Sequence, residues 1–353
     1  MKKVTWKFII QLMALLLFIT CMKEQSFSQK VSVEEITFYS GDFKVVGDLK
    51  IPDVKNLHPV VVFVHGDGPN SRNSGGFYPP VMERMLRAGY ATFAWDKPGT
   101  GESTGEIDRA RLFEQRTKIV LDAIDVLKKH HSIDSKRIGL WGISQAGYIM
   151  PLVLEKSNDV SFVIAVSCPG GPGVEQGAYL VSRQAVCEGL PEKDAEQVEH
   201  LLSAIERVRT YEEYVSYKEQ LNSFPALASI KELGYNMRIK PKEEWHAHDP
   251  SGNYYWNPMD VISRTTIPLL AFFGEKDTQV DPFQGMQAYK NALEHAGNPN
   301  FRLELIPGVD HLMIVTETGC LKEIFNRTRK ERLAYEPLFL DIIEEWLNDL
   351  DLK

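Results

Sequence analysis

Six short apolar runs, separated by helical patterns, restrict what this chain can fold into more than any other feature. They cover residues 59–64, 90–95, 137–141, 160–166, 267–273 and 301–306. Each is continuous rather than alternating, the pattern of a strand buried on both faces. Between them lie helical periods. Residues 109–130 are the clearest, with Leu112, Ile119, Val120, Ile124 and Leu127 on one stripe. Strands alternating with helices predict a mostly parallel sheet flanked by helices. Ahead of the first run, residues 31–39 and 43–51 alternate in polarity around Ser40-Gly41-Asp42 and predict an antiparallel hairpin.

The alternation breaks at residues 169–264. This stretch opens on Pro169-Gly170-Gly171-Pro172-Gly173 and continues with charged helical segments at 192–209 and 211–221, with no apolar strand run. The 353 residues are therefore read as one α/β core, 29–168 and 265–353, interrupted by a helical cap at 169–264. The cap's aromatics, Tyr211, Tyr214, Tyr235, Trp245, Tyr254, Tyr255 and Trp256, are available either to line a substrate pocket or to form the cap's own core.

Residues 1–28 read differently. Lys2, Lys3 and Lys7 flank an apolar run ending at Thr20, too short for the roughly 20 residues of a spanning helix. Ser26-Phe27-Ser28 before Gln29 suits cleavage, so the segment reads as an export signal, with a periplasmic or secreted product and no membrane span afterwards. Lipid attachment at Cys21 is the alternative, although Phe18-Ile19-Thr20 lacks the small residue usual before such a cysteine. The other cysteines, Cys168, Cys187 and Cys320, are scattered and predict neither a disulfide framework nor a zinc site. A net charge of −8 without any basic run argues against a nucleic-acid surface.

Chemistry concentrates where apolar runs end. The run at 137–141 leads into Gly142-Ile143-Ser144-Gln145-Ala146-Gly147 and then a helical segment. A serine flanked by small residues at a strand-to-helix turn is a nucleophile elbow: the turn lifts the hydroxyl clear of the sheet over a helix N-terminus. The usual last glycine is here Ala146, with glycine one step later. The run at 59–64 ends in His65-Gly66-Asp67-Gly68-Pro69, a loop able to aim an amide, that of Asp67, at an oxyanion beside the amide of Gln145. His65 is expected to brace this loop. The last two runs end in Gly274-Glu275-Lys276-Asp277 and Pro307-Gly308-Val309-Asp310-His311, an acid and then a histidine. Serine needs such a base at neutral pH, and the base needs a carboxylate to fix its tautomer. Asp277 is preferred to Asp281 because it lies nearer its strand end, and Asp310 adjoins His311 too closely to orient it. His246 and His248 lack an evident third metal partner and read as a solvated loop.

Together these residues resemble the α/β-hydrolase superfamily over about residues 38–349. The His65 to Pro69 loop, the loop after 90–95, the elbow and Gly274-Glu275-Lys276-Asp277 look like bacterial serine esterases and the dienelactone-hydrolase-like or prolyl-oligopeptidase-like enzymes. Those relatives usually carry Arg-Gly where Lys97-Pro98 stands here. The resemblance implies acyl transfer to water through an acyl-serine, with no cofactor and a small-molecule ester as substrate. A peptide or aminoacyl amide is the alternative substrate, and a binding protein that retains the triad without turnover is the alternative class.

Overall fold

The computed structural model describes residues 31–52, 55–230, 233, 236–249 and 252–350. The expected export signal, Cys21 and Tyr235 lie outside these residues. β1 (Ser32–Ser40) and β2 (Phe43–Ile51) form the expected antiparallel hairpin. Gly41 turns it at φ 56°, a left-handed conformation that glycine adopts without penalty. Then come β3 (His58–Val64), β4 (Ala91–Trp95), β5 (Ile133–Ile143), β6 (Val160–Val166), β7 (Leu269–Gly274) and β8 (Phe301–Ile306). All eight make one sheet in the order β1-β2-β4-β3-β5-β6-β7-β8. β2 pairs antiparallel with β4, and the sheet is parallel from β4 to β8.

Parallel neighbours need connections long enough to hold a helix. α1 (Tyr78–Arg87), α2 (Leu112–Leu127) and α3 (Ala146–Lys156) follow β3, β4 and β5 in turn. Between β6 and β7 lie α4 (Gly173–Cys187), α5 (Glu192–Ile205), α6 (Tyr211–Asn222) and the single turns α7 (Pro225–Ala228) and α8 (Met259–Ile262). α9 (Pro282–His295) links β7 to β8, and α10 (Leu321–Asn326) and α11 (Pro337–Asp349) follow β8.

The pleat of β3 explains why its run is apolar throughout. Val60, Val62 and Val64 join a core with Ile119, Val120 and Ile124 of α2, Ile149 and Val153 of α3, and Leu293 of α9. Val61 and Phe63 point the other way, to Met82 and Met85 of α1 and Phe339 and Ile343 of α11. Each such side chain contributes roughly 1.5–3 kcal/mol on burial. The segment between β6 and β7 has a smaller core of its own, including Val198, Leu201, Leu202, Leu221 and Leu227.

One expectation fails here. Cys187, at the end of α4, and Cys320, just before α10, form a disulfide across 133 residues of chain. Their pairing follows from the tertiary fold, which brings two distant helix ends together, and their spacing carries no sign of it. Cys168 is free and buried.

The sheet order also locates the ligand site. From β3 the chain crosses to β4 on one side and afterwards to β5 on the other. That reversal opens a crevice at the carboxyl ends of β3 and β5, the usual binding position in open α/β sheets. The loop at His65 and the turn at Ser144 are the two segments that leave those ends.

Candidate active site

Ser144 follows β5 directly with φ 59°, the left-handed region that a residue with a β-carbon rarely occupies. Its amide donates to Val166 O at 3.0 Å, tying the turn to β6. Gly142 and Ala146 face one another across the turn. A β-carbon on Gly142 would sit 2.6 Å from that of Ala146, so glycine at the first position is what admits alanine at the second. Gly147 is equally constrained, since its β-carbon would lie 2.7 Å from that of Cys168. Gln145 stands at the N-cap of α3, where amides lack intrahelical acceptors.

Asp277 lies three residues beyond β7, and its Oδ2 is 2.7 Å from His311 Nδ1, with side-chain exposures of 1% and 5%. The other carboxylate oxygen accepts from the amides of Gln279 at 2.7 Å and Val280 at 2.9 Å, which fixes the acid. Burial, the largest influence on His311, disfavours the imidazolium, but the Asp277 carboxylate outweighs it and holds the pKa above the usual 6.5. Asp281 is occupied elsewhere: it caps α9, accepting from the amides of Phe283 and Gln284. Asp310 is buried 2.5 Å from Arg327 Nη1.

His311 and Ser144 line one cavity of about 420 Å³ together with Gly66 and Asp67. Gln145, the next residue of the turn, is not among the residues that line it. The Asp67 amide donates to no group among the described residues, and its carboxylate is exposed. His65 braces the loop as expected. Its Nε2 donates to Trp95 O and its Nδ1 accepts from the Tyr78 hydroxyl, both at 2.7 Å. Burial first, then Lys97 and Arg116, lower its pKa to about 3, so it stays neutral.

Two residues that sequence reasoning passed over complete the loop. Lys97 Nζ donates to Gly66 O at 2.8 Å and Gly68 O at 2.5 Å. Arg116 of α2 donates to His65 O and to the side-chain oxygen of Gln145. Arg116 left a trace in the sequence: it stands one turn after Leu112 and one before Ile119 and Val120, a charge within an apolar stripe. Beside Lys97, Asp96 accepts from Arg72 Nη2 at 2.8 Å and from the amide of Glu102 at 3.0 Å. Gly101 makes room for that carboxylate, as its β-carbon would fall 2.1 Å from Asp96 Oδ2.

Much of the rest of the cavity wall is apolar, with Phe77, Tyr78, Leu312, Ile314, Leu321, Ile324, Phe325 and Leu333, and Arg327 and Arg332 join it from the same 321–333 segment. No residue of 169–264 lines it. Of the two uses open to the aromatics, packing is the one Trp245 takes, while Tyr254 and Tyr255 border a separate cavity of about 640 Å³. Trp245 packs on Tyr211 and Tyr214. Tyr255 donates to Glu206 O at 2.5 Å, and Trp256 rests on the main core. What the segment does reach is the acid's loop: α4 donates from Tyr179 Oη to Asp277 O at 2.8 Å and from Gln176 to Gln279 O at 2.9 Å. His246 and His248 are exposed, and His248 lies 3.3 Å from Glu206. Among the described residues no three His, Cys, Asp or Glu side chains group as a metal site needs, and no helix is long and apolar enough to cross a membrane.

Residues 25–312 match the model of the X-Pro dipeptidyl-peptidase (S15) family. That span runs from the hairpin through the elbow, Asp277 and His311. The chain belongs to the S15 family. Among relatives of this S15 protein, esterase EstD of Thermotoga maritima is 25% identical over 281 residues, covering 77% of this chain and 58% of that one. An uncharacterised 31.7 kDa protein of Escherichia coli is 35% identical over 99 residues, 28% of this chain and 33% of that one. The S15 protein thus spans about a third to somewhat over half the length of these relatives. An esterase of Pyrococcus furiosus has the same fold, with TM-score 0.55 at 16% identity over 91% of this chain and 92% of that one. The S15 protein has the α/β-hydrolase fold.

Proposed function

We propose that the protein is an exported serine hydrolase that cleaves carboxylic esters through an acyl-serine. Ser144 attacks the ester carbonyl while His311 takes its proton; the imidazolium then returns a proton to the departing alkoxide. Water repeats the sequence on the acyl-enzyme, releasing the acid and restoring Ser144. Asp277 holds His311 with Nδ1–H bonded, leaving Nε2 as the base. The amides of Asp67 and Gln145 receive the negative charge on the carbonyl oxygen. The observation that carries this reading is the 2.7 Å His311–Asp277 pair opening onto the cavity that Ser144 lines.

The family's model favours a second reading, cleavage of a peptide bond. An aminopeptidase-type substrate brings an α-ammonium, which calls for a carboxylate in the pocket. The cavity offers only Asp67, beside the oxyanion site, against Arg327, Arg332 and a wall of apolar side chains. That balance supports an ester with an apolar acyl or aryl arm.

The test is direct. An organophosphonate should modify the peptide bearing Ser144, and Ser144→Ala should lower kcat by several orders of magnitude, to the roughly 10³–10⁴-fold residual over water seen when a triad member is lost. An adduct elsewhere refutes the assignment. Comparing kcat/KM for aryl and acyl esters with that for aminoacyl and X-Pro amides decides between the substrates. N-terminal sequencing of the mature protein, expected to begin near Gln29, tests export.

A further inference from the structure

We propose that Lys97 and Arg116 are positioning residues of the oxyanion hole, holding the carbonyls behind it so that the amides of Asp67 and Gln145 face the reacting carbonyl. This rests on the acyl-serine reading above. In a trans peptide the C=O and the following N–H point in opposite directions. Lys97 Nζ donates to Gly66 O at 2.8 Å, so the Asp67 amide of that same peptide must point away from the ammonium. The bond to Gly68 O at 2.5 Å and that from Asn70 Nδ2 to Asp67 O at 3.0 Å fix the next two carbonyls. Arg116 applies the device to the preceding peptide by donating to His65 O, and across the crevice it anchors Gln145 by donating to its side-chain oxygen.

Mere bracing does not require charge. Lys97 and Arg116 are 6% and 4% exposed, and neither forms an ion pair among the described residues. Burying a cation without a counterion is costly, and neutral donors would hold the same carbonyls at less expense. Charge behind a polarised peptide has a use when an oxyanion develops on its other side, in a medium that screens it poorly. The groups that face Lys97 are Arg116 from α2, neutral His65, the exposed Asp67 carboxylate, and Asp96 with its partner Arg72. Burial, then Arg116, bring the Lys97 pKa down to about 7, so part of its charge is titratable in the working range.

Lys97→Met and Lys97→Arg provide the test on the full-length enzyme. Removal of one oxyanion donor costs about 10²–10³-fold in kcat, and Lys97→Met is expected near the lower bound, with KM within a few-fold of wild type. Affinity for a trifluoromethyl ketone, which forms an oxyanion on Ser144, should fall by the same factor, while binding of the unreactive methylene analogue stays unchanged. Lys97→Arg should restore kcat and abolish the decline above about pH 7 expected of the wild type. A folded Lys97→Met enzyme with wild-type kcat overturns the proposal, and so does an equal loss of affinity for ketone and analogue. Should Lys97→Met not fold, the alkaline limb decides alone: a limb identical in wild type and Lys97→Arg overturns it. Wild-type protein that takes no phosphonate on Ser144 would instead refute the acyl-serine reading.

Discussion

At Ser144 a left-handed backbone and a buried base meet, and each depends on one neighbour. The backbone depends on Gly142. Adding a methyl there would press on Ala146 at 2.6 Å and on Met150 Sδ at 2.8 Å. Gly142→Ala is therefore expected to destabilise by about 1–3 kcal/mol through overpacking and to cut kcat by displacing the serine. Gly142→Ala with Ala146→Gly should recover part of both, since it moves the methyl across the same gap. Equal losses in the single and double variants, read by thermal melting and kcat, would show that the two positions do not oppose each other. The base depends on Asp277. Because that carboxylate holds the His311 pKa above 6.5, the imidazolium persists to higher pH, and kcat/KM should fall on acidification through a value above 6.5. Asp277→Asn removes the raising influence and leaves burial, so the acid limb should move to lower pH while kcat drops about 10⁴-fold through the wrong tautomer. An acid limb that stays in place in Asp277→Asn would mean that His311 is not the titrating base. At this scale the placement of Ser144, Asp277 and His311 beyond strand ends was legible because each follows an apolar run. The contacts of Lys97 and Arg116 were not, because the backbone carbonyls they donate to have no signature in a sequence; only the charge of Arg116 within an apolar stripe marked it.

At the scale of elements, α4 stands out by what it connects. Besides its bonds to the acid's loop, Gln184 reaches Thr278 Oγ1 at 2.9 Å and accepts from the amide of Leu321 at 3.0 Å. The disulfide from Cys187 to Cys320 fixes the same two parts covalently. One helix thus secures both the carboxylate that orients His311 and the start of α10, which lines the cavity. In the chain-entropy account, closing so long a loop contributes about 2–5 kcal/mol. Cys187→Ser with Cys320→Ser, or reduction of the wild type, is expected to lower the Tm by several degrees. Discrimination between acyl chains should also blunt as the α10 wall loosens, while phosphonate labelling of Ser144 persists. Tm and relative kcat/KM across an ester series check this, and unchanged selectivity on reduction would count against the tether. The helices themselves were legible from their charged periodicity at 192–209 and 211–221, found as Glu192–Ile205 and Tyr211–Asn222. What they touch was not, because a contact between α4 and the loop after β7 depends on how the insertion leans on the sheet.

Across the whole molecule, the insertion and the substrate cavity are separate bodies. The insertion's aromatics could have lined the cavity beside Ser144 or packed within the cap, and Trp245, Tyr255 and Trp256 are each committed to packing or hydrogen bonds away from it. Much of the wall comes from the segment after His311, together with Phe77 and Tyr78. Phe325, 57% exposed, and Leu333, 38% exposed, stand at the cavity with Leu321 and Ile324 beneath them. Residues that exposed contribute little to the core, so truncating them should change binding without unfolding the protein. Phe325→Ala and Leu333→Ala are expected to shift relative kcat/KM between short and long acyl or aryl esters by roughly 10–200-fold per contact. Both should leave Tm nearly unchanged. Trp245→Ala should do the reverse, weakening the stack with Tyr211 and Tyr214 and lowering stability while the ratio between esters holds. An ester series measured on the three variants separates the two bodies. If Trp245→Ala moved selectivity as far as Phe325→Ala with no loss of Tm, the insertion would have to close over the cavity during turnover, and the division between scaffold and wall would fall.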